Sequence, residues 1–355
     1  MGKNDEAHVR VGDREVRISS ASRVLFEATE RTPALTKLEV AQYFADVGDP
    51  LFAALRHRPT ALERWPSGWR DGMRLATSGS TKDADGFYQK RLPQGAPEWI
   101  ETATVRFPSG RPADELCPTE PAAAVWAAQM GTLTFHPWPV RRDDVEHPDE
   151  LRIDLDPQSG TDLRDAARVA LVARELLDGF GMQGYVKTSG NRGLHLFVRI
   201  RPEWDFVDVR HAAIAFGRAL EAADACVTTA WWKEERGERI FVDYNQNARD
   251  RTIASAWSVR ALPGAPVSTP LEWSEVAGLR DAAQFTVHNA RERLAHGDPW
   301  KGIDDVAHDL TPLLEAWAEH PVELNYPPEY PKMPGEPPRV QPSRKVAEHW
   351  PEERS

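Results

Sequence analysis

Cysteine is nearly absent from this 355-residue chain: Cys117 and Cys226 are the only two. Two thiols cannot build a disulfide framework, nor a zinc site by themselves. Long apolar runs are also missing, with nothing near the ~18 residues of a membrane span. The first residues, Met1 to Arg17, are charged rather than signal-like, so a cytoplasmic protein without a membrane partner is expected. Basic charge is in deficit, with 44 Lys+Arg against 55 Asp+Glu and a net charge of −11. A uniformly basic nucleic-acid binder is thereby excluded.

What is present is unevenly placed. Residues 56–111 carry ten basic and six acidic groups, and 187–260 carry twelve and ten. Between them, 112–186 carries six basic and fourteen acidic groups, and 261–355 is acidic again. Two basic stretches thus flank an acidic one. The length allows one large or two smaller domains at roughly 100–200 residues each. Forty-one per cent apolar residues suffices for a sizeable core.

The N-terminal part opens with a short strand over Glu15–Ile18. Thr36 followed by Glu39 forms a capping-box signature, and Leu38, Val40, Ala41, Phe44 and Val47 have helical spacing. Gly48-Asp49-Pro50 is expected to interrupt that helix, with Leu51–Arg56 resuming it. Short strands and Gly/Pro turns follow from Thr60 to Phe107. Pro121–Met130 reads as a helix capped by Thr119. Strands are expected at 133–136, 151–156, 185–188, 194–200, 239–243 and 253–259, with helices at 163–180 and 207–223. The pattern is that of a strand-rich α+β or α/β core with helices against its sheets. Beyond Pro270 the chain reads as helical and acidic, clearest at Leu310–Trp317. Seven prolines between Tyr326 and Pro342 dictate an extended tail that wraps the body or hangs free.

Three segments could do chemistry. In Leu151-Arg-Ile-Asp-Leu-Asp-Pro157, strand alternation puts Asp154 and Asp156 on one face. Two adjacent carboxylates at a strand end repel, and a divalent cation with its preference for oxygen ligands would relieve them. The plainer alternative is one capping and one solvated aspartate. Arg239-Ile-Phe-Val-Asp243 is a second apolar strand ending in an acid. Three strand-borne aspartates can hold two metals for phosphoryl transfer, unless Asp243 simply pairs with Arg249 or Arg251. Lys187-Thr-Ser-Gly-Asn-Arg-Gly-Leu-His195 is a two-glycine turn able to cradle phosphates. It is neither a P-loop nor a dinucleotide fingerprint, because Gly-Lys-Ser/Thr is missing and a strand follows. Arg56, Arg58, Arg64, Arg70, Arg74, Lys90 and Arg91 interleave with Trp65, Trp69, Phe87, Tyr88 and Trp99. Such a mixture suits nucleotides or single strands, or else the aromatics are core.

Taken in order, Arg152–Pro157, Lys187–His195, Val242-Asp-Tyr-Asn-Gln-Asn-Ala-Arg249 and Ser258-Val-Arg-Ala-Leu-Pro-Gly-Ala-Pro-Val-Ser-Thr-Pro270 resemble the polymerase domain of bacterial ATP-dependent DNA ligase D, within the archaeo-eukaryotic primase superfamily. Glu63-Arg-Trp-Pro-Ser-Gly68, Phe87-Tyr-Gln-Lys90 and His136-Pro-Trp138 agree, so the resemblance spans roughly residues 15–300. It implies an α+β fold with two small sheets flanked by helices and an active site in the cleft between them. A catalytic domain over 1–300 is expected, in parts 1–130 and 131–300, with 301–355 a helical and Pro-rich extension.

The resemblance implies that Asp154, Asp156 and Asp243 are catalytic acids holding two divalent ions, Mn²⁺ or Mg²⁺. Nucleoside triphosphate would be held by His136, Lys187, Ser189, Arg192, His195 and Arg260, with Arg64, Phe87 and Tyr88 at the nucleotide. The 5′-phosphate pocket of the family uses two lysines; here Lys37 matches one and Arg23 stands for the other, and arginine also binds phosphate. The Lys-x-Asp-Gly motif of a ligase is lacking, so a stand-alone, monomeric, nucleoid-associated relative of actinobacterial type is expected. Its implied reaction is template-dependent nucleotide addition to a primer 3′-hydroxyl, preferring ribonucleotides, in short-gap repair. Its implied partners are primer-template DNA, gaps or ends with a 5′-phosphate, a separate DNA ligase and an end-binding protein. The alternatives are an end-joining polymerase, a two-metal nuclease or phosphoesterase, and a silent binding module.

Overall fold

A computed structural model describes residues 5–76, 84–281 and 284–339. The N-terminal part runs β1 (Glu6–Val11), β2 (Arg14–Ser19), β3 (Val24–Phe26), β4 (Leu35–Thr36), α1 (Lys37–Asp46) and α2 (Gly48–Leu55). It continues through β5 (Thr60–Arg64), β6 (Leu75–Ala76), β7 (Gly86–Gln89), β8 (Thr102–Arg106), β9 (Pro112–Leu116), α3 (Ala122–Gln129) and β10 (Thr132–Pro137). The second part comprises β11 (Glu150–Pro157), α4 (Leu163–Gly179), β12 (Tyr185–Thr188), β13 (Leu194–Arg199), α5 (Phe206–Ala223), β14 (Val227–Thr228) and β15 (Ile240–Val242). β16 (Pro270–Leu271), α6 (Trp273–Val276) and α7 (Thr311–Glu319) complete it.

Twelve strands form two six-stranded sheets, in line with the α+β expectation, and β1-β2 and β3-β4 form two separate two-stranded sheets. The first is ordered β6-β7-β5-β9-β8 with β10 also on β5; the second is ordered β14-β15-β11-β13-β12-β16. Alternation makes the second sheet two-faced. Leu151, Ile153 and Leu155 on β11, with Leu194, Leu196 and Val198 on β13, bury against α4 and α5 in one core. The other face carries Glu150, Arg152, Asp154 and Asp156 beside His195, Phe197 and Arg199, and it turns toward the first sheet. A buried ion network closes one end of that seam. Arg58, ahead of β5, reaches Asp149 at 2.6 Å and Glu150 at 2.8 Å, while Arg199 holds Asp149 at 2.7 Å. Removing one partner would leave a buried charge uncompensated.

Several local expectations are corrected. The Thr36–Glu39 capping box is present, but the break after α1 falls at Val47. Gly48 and Pro50 lie inside the first turn of α2, where a missing N–H costs no helical hydrogen bond. Pro121, not Thr119, occupies the N-cap of α3; no side chain caps the helix, and the Ala123 N–H donates to the Glu120 carbonyl at 3.2 Å instead. Residues 253–259 are not a strand. They run as irregular chain with a single bridge, Val259 to Val267, because Ser255 and Ser258 spend hydrogen bonds locally and on Phe135. Beyond Pro270, helix is confined to α6, a 3₁₀ stretch at Ala290–His296 and α7. The tail wraps the body as far as Arg339; the part from 340 onward, with Pro342, lies outside the described residues. No helix among the described residues is long and apolar enough to cross a membrane.

Candidate active site

Register builds the site. β11 runs antiparallel to β13 with Asp154 opposite His195, and to β15 with Asp156 opposite Phe241. β15 ends one residue before Asp243, whose N–H donates to the Asp154 carbonyl at 3.1 Å. Asp243 then caps a 3₁₀ turn, Tyr244–Asn247, with its Oδ1 accepting from the Asn245 N–H at 3.0 Å. The turn brings Gln246 back over the acids. Its Nε2 donates to Asp243 Oδ2 at 3.1 Å and to Asp154 Oδ2 at 3.3 Å. Asp156 is more exposed, accepting from Gln158 at 3.0 Å and from Arg192 at 3.4 Å.

Burial raises the Asp154 carboxyl well above its usual range, and the nearby charges of Asp243 and Asp156 push the same way. Burial also raises Asp243, opposed by the Asn245 N–H. Two half-buried carboxylates converging on one amide nitrogen are a donor set suited to a hard divalent cation, which would remove their repulsion. Among the described residues no group of three His, Cys, Asp or Glu side chains is closed around one point. Accommodating an ion therefore requires Gln246 to give way and Asp156 to turn inward. Asp243 makes no ion pair with Arg249 or Arg251, which reach Glu146 and Glu329 instead.

Asp154 and Asp156 open onto a cavity of about 200 Å³ between the sheets, lined also by His136, Ser189, Arg192, His195, Gln246 and Arg260 among others; Asp243 is not among its lining residues and reaches it through Gln246. Ser189 Oγ accepts from the N–H groups of Asn191 and Gly193, both at 3.1 Å, so its own proton is free to donate outward. Gly193 is required here: a Cβ would stand 2.2 Å from the Leu155 carbonyl oxygen of β11. Arg260 donates to the Ser189 carbonyl at 3.3 Å. Arg192, beside Asp156, and Arg260, beside Ser189, thus bring cationic charge to the cavity.

Lys187 does not line this cavity. It is fully buried behind His195, with Nζ 2.7 Å from His195 Nδ1 and 2.5 Å from Ser268 Oγ. Burial, then the charge of Arg260, drives its pKa well down. His195 is lowered by burial and by Lys187, and its Nε2 sits 3.5 Å from Asp154 Oδ1. Lys187 acts on the site through the ring of His195.

The first sheet supplies the opposite wall. Glu63 pairs with Tyr88 across β5 and β7, and His136 pairs with Ala61 across β10 and β5. Glu63, Tyr88 and His136 therefore share one face. Glu63 Oε2 lies 3.2 Å from His136 Nε2, and the Tyr88 ring stands edge-on to His136 at 5.2 Å. Burial works against the charge on Glu63, yet the His136 hydrogen bond holds its pKa below normal; burial lowers His136. An ionised carboxylate only accepts, so His136 Nε2 donates and Nδ1 is the free nitrogen.

The same pleat turns Arg64 and Phe87, a register pair, to the other face. Arg64 lies over the Phe87 ring at 5.2 Å and donates to the Met130 carbonyl. It contributes instead to a second cationic cluster. Lys37 Nζ donates to the Ser19 carbonyl at 2.9 Å, and burial followed by the charges of Arg23 and Arg64 lowers its pKa to about 8. Arg23 reaches the Pro66 carbonyl at 2.6 Å. None of these three cations lines the acid cavity. Elsewhere in 56–111 much of the basic charge is spent internally: Arg58 on Asp149, Arg70 on Glu27, and Lys90 on Asp250. Trp65 is core, and Trp69 and Trp99 pack against it.

Sequence reasoning assigned no role to Gln246, Asn191, Glu63 or the segment Thr252–Ala254, which also lines the cavity. The Asn-Gln-Asn run directly after Asp243 was the available signal for Gln246.

Comparison with known proteins identifies the family and agrees with the fold. Residues 36–300 match the family described as LigD, primase-polymerase domain. The chain is 31% identical over 293 residues to the multifunctional non-homologous end joining protein LigD of Pseudomonas aeruginosa, covering 80% of this chain and 32% of that one. The bifunctional LigD of Bacillus subtilis is 28% identical over 282 residues, covering 79% and 42%. The chain therefore spans about a third to two-fifths of these relatives' length. A solved polymerase domain of Mycobacterium tuberculosis Ligase D in complex with DNA superposes with a TM-score of 0.72 at 27% identity, covering 82% of this chain and 99% of that one.

Proposed function

This chain belongs to the LigD primase-polymerase family of nucleotidyltransferases, and from that premise we propose that it extends a DNA primer 3′-hydroxyl by templated nucleotide addition during strand repair. The observation that carries the reading is one cavity lined by Asp154 and Asp156 together with Ser189, Arg192 and Arg260, with Asp243 joined to Asp154 through the Gln246 amide. Acids that gather cations lie beside groups that bind phosphates, as transfer of a nucleotidyl group demands.

Asp154, Asp156 and Asp243 would hold divalent ions, Mg²⁺ or Mn²⁺, which supply activation of the attacking hydroxyl and neutralisation of the leaving group. The Ser189 hydroxyl and the Arg192 and Arg260 guanidiniums hold the triphosphate in line with the incoming 3′-oxygen. A bond forms between that oxygen and the α-phosphorus while the bond to pyrophosphate breaks. His195, held from behind by Lys187, keeps its Nε2 beside Asp154 at 3.5 Å. Tyr88, exposed at the rim beside His136, offers a ring to the base.

Lys37, Arg23 and Arg64 form a separate phosphate-binding cluster that suits the 5′-phosphate at the far side of a gap. That second anchor favours short-gap filling with ribonucleotides preferred, working beside a separate ligase and an end-binding protein. The test is primer extension with Mn²⁺ or Mg²⁺ on recessed and gapped templates, with and without the downstream 5′-phosphate, using ribo- and deoxyribonucleotides. Lengthened primer is expected, most on phosphorylated gaps. A shortened strand would show a nuclease and overturn the proposal; indifference to the phosphate would remove the gap-filling role.

A further inference from the structure

The stretch 321–339 lies beyond the region matching the family, yet it grips the wall that carries Asp243. Its first hold runs through α5. Glu323 accepts from Arg210 at 3.0 Å and pairs with His211. Fully buried Arg210 donates to the Leu324 and Asn325 carbonyls, and through Nε to Asn245 Oδ1 at 2.9 Å. Asn245 Nδ2 donates back to the Asn325 carbonyl at 2.9 Å, and it is the Asn245 N–H that Asp243 accepts. A continuous chain of hydrogen bonds therefore links Glu323 to Asp243.

A second hold lies six residues on. The Tyr330 hydroxyl donates to the Arg249 carbonyl at 2.6 Å, and Glu329 pairs with Arg251. Gln246 sits between the two holds, and Thr252–Ala254 leave the second one to line the cavity. The strap is itself stiff. Buried Glu336 accepts from the Tyr326 and Met333 N–H groups and from Arg339, while Asn325 donates to the Pro337 and Pro338 carbonyls. Proline removes the N–H groups that would otherwise need partners, so one carboxylate closes the loop.

We propose that this strap is a positioning device for the known reaction: Glu323 sets the Asp243–Gln246 turn for cation binding, and Glu329 with Tyr330 sets the Thr252–Ala254 wall for nucleotide binding. None of the three lines the cavity, so each acts through the residue it holds. The inference rests on the polymerase reading for its kinetic arm only.

The experiment compares full-length Glu323→Gln and the double variant Glu329→Gln/Tyr330→Phe with wild type. Glu329 is exposed and Tyr330→Phe removes a single hydroxyl, so the double variant keeps its fold. Mn²⁺ binding without nucleotide is followed by electron paramagnetic resonance, primer extension gives kcat and KM, and melting gives stability. Glu323→Gln is expected to bind Mn²⁺ about tenfold more weakly. The double variant is expected to raise nucleotide KM about three- to tenfold with kcat within about twofold. Wild-type Mn²⁺ binding and KM in both variants overturns the strap's role, as do losses matched by an equal loss of folded protein. Failure of wild type itself to extend a primer sinks the polymerase reading and leaves the Mn²⁺ arm to decide the strap.

Discussion

One side-chain amide, that of Gln246, donates to both Asp154 and Asp243, at 3.3 and 3.1 Å. It bridges two half-buried carboxylates that repel each other, so the repulsion between them and the chemistry they offer are the same feature.

Neutralising one acid should stabilise the protein while disabling it. Asp154→Asn removes the repulsion from Asp243 and Asp156 and keeps the side-chain volume. In EDTA its melting temperature should rise by about 2–4 °C, the equivalent of roughly 1 kcal/mol. Primer extension should fall by roughly 10³-fold, the scale expected when a group acting on transition-state charge is lost. Extension at the wild-type rate would remove Asp154 from the active site.

Glu115 predicts a pH dependence unrelated to catalysis. Burial raises its pKa to about 8, it accepts from Trp138 Nε1 at 3.1 Å, and its Oε1 has no partner. The unfolded chain releases this proton near the ordinary pKa of 4.5, the folded chain only near 8. Its contribution is thus present below about 4.5 and is lost as pH rises toward 8. Melting curves of Glu115→Gln should lack that decline, so the gap in stability over wild type should widen from about pH 5 to 8. Parallel curves would contradict the shift.

Lys37 has a pKa lowered to about 8, so the proposed 5′-phosphate pocket should be sensitive to alkali. Phosphate favours the charged lysine, so binding takes up a proton above that pH and weakens as pH rises. The ratio of affinities for phosphorylated and unphosphorylated gaps should shrink above about pH 8 in wild type. Lys37→Arg should hold the ratio constant, since arginine stays charged. Fluorescence anisotropy over that range is decisive; a flat wild-type ratio would dissociate Lys37 from the phosphate.

Gly193→Ala should be among the most damaging single changes outside the acids. Its Cβ would sit 2.2 Å from the Leu155 carbonyl oxygen, and backbone, not a flexible side chain, must yield. Displacing β11 at Leu155 moves both Asp154 and Asp156. A loss of about 3 kcal/mol or more by urea denaturation is expected, with extension reduced in the remaining folded protein. Near-wild-type stability would mean that the Ser189–Gly193 turn is looser than its hydrogen bonds show.

Local rules were legible in the sequence. Period-two alternation put Asp154 with Asp156 on a single face, and the pair is found so. The Thr36–Glu39 capping box needed only four consecutive residues. The resemblance carried by the aspartate and Ser-Gly-x-x-Gly-x-His segments led to the family and the α+β class. The 253–259 segment escaped because β propensity describes a chain free to pair, and here the Ser255 N–H and the Ser258 hydroxyl are spent on Phe135 of β10.

The sequence by itself determined which residue types were available and which of them share a strand face, because both are set within a few bonds of the backbone. Tertiary structure alone decided which faces meet. Phe87 and Tyr88 are neighbours in the chain, yet the pleat sends one to Arg64 and the Lys37 cluster and the other to His136 and the acid cavity. Lys187 and Arg192 are both cations of one short segment, yet packing buries the first behind His195 and leaves the second at the rim. Gln246 and the strap through Glu323 and Tyr330 depend on contacts across 92, 113 and 81 residues of chain. Long-range contacts of that kind follow from how two sheets close on one another, and no local pattern of residues encodes them.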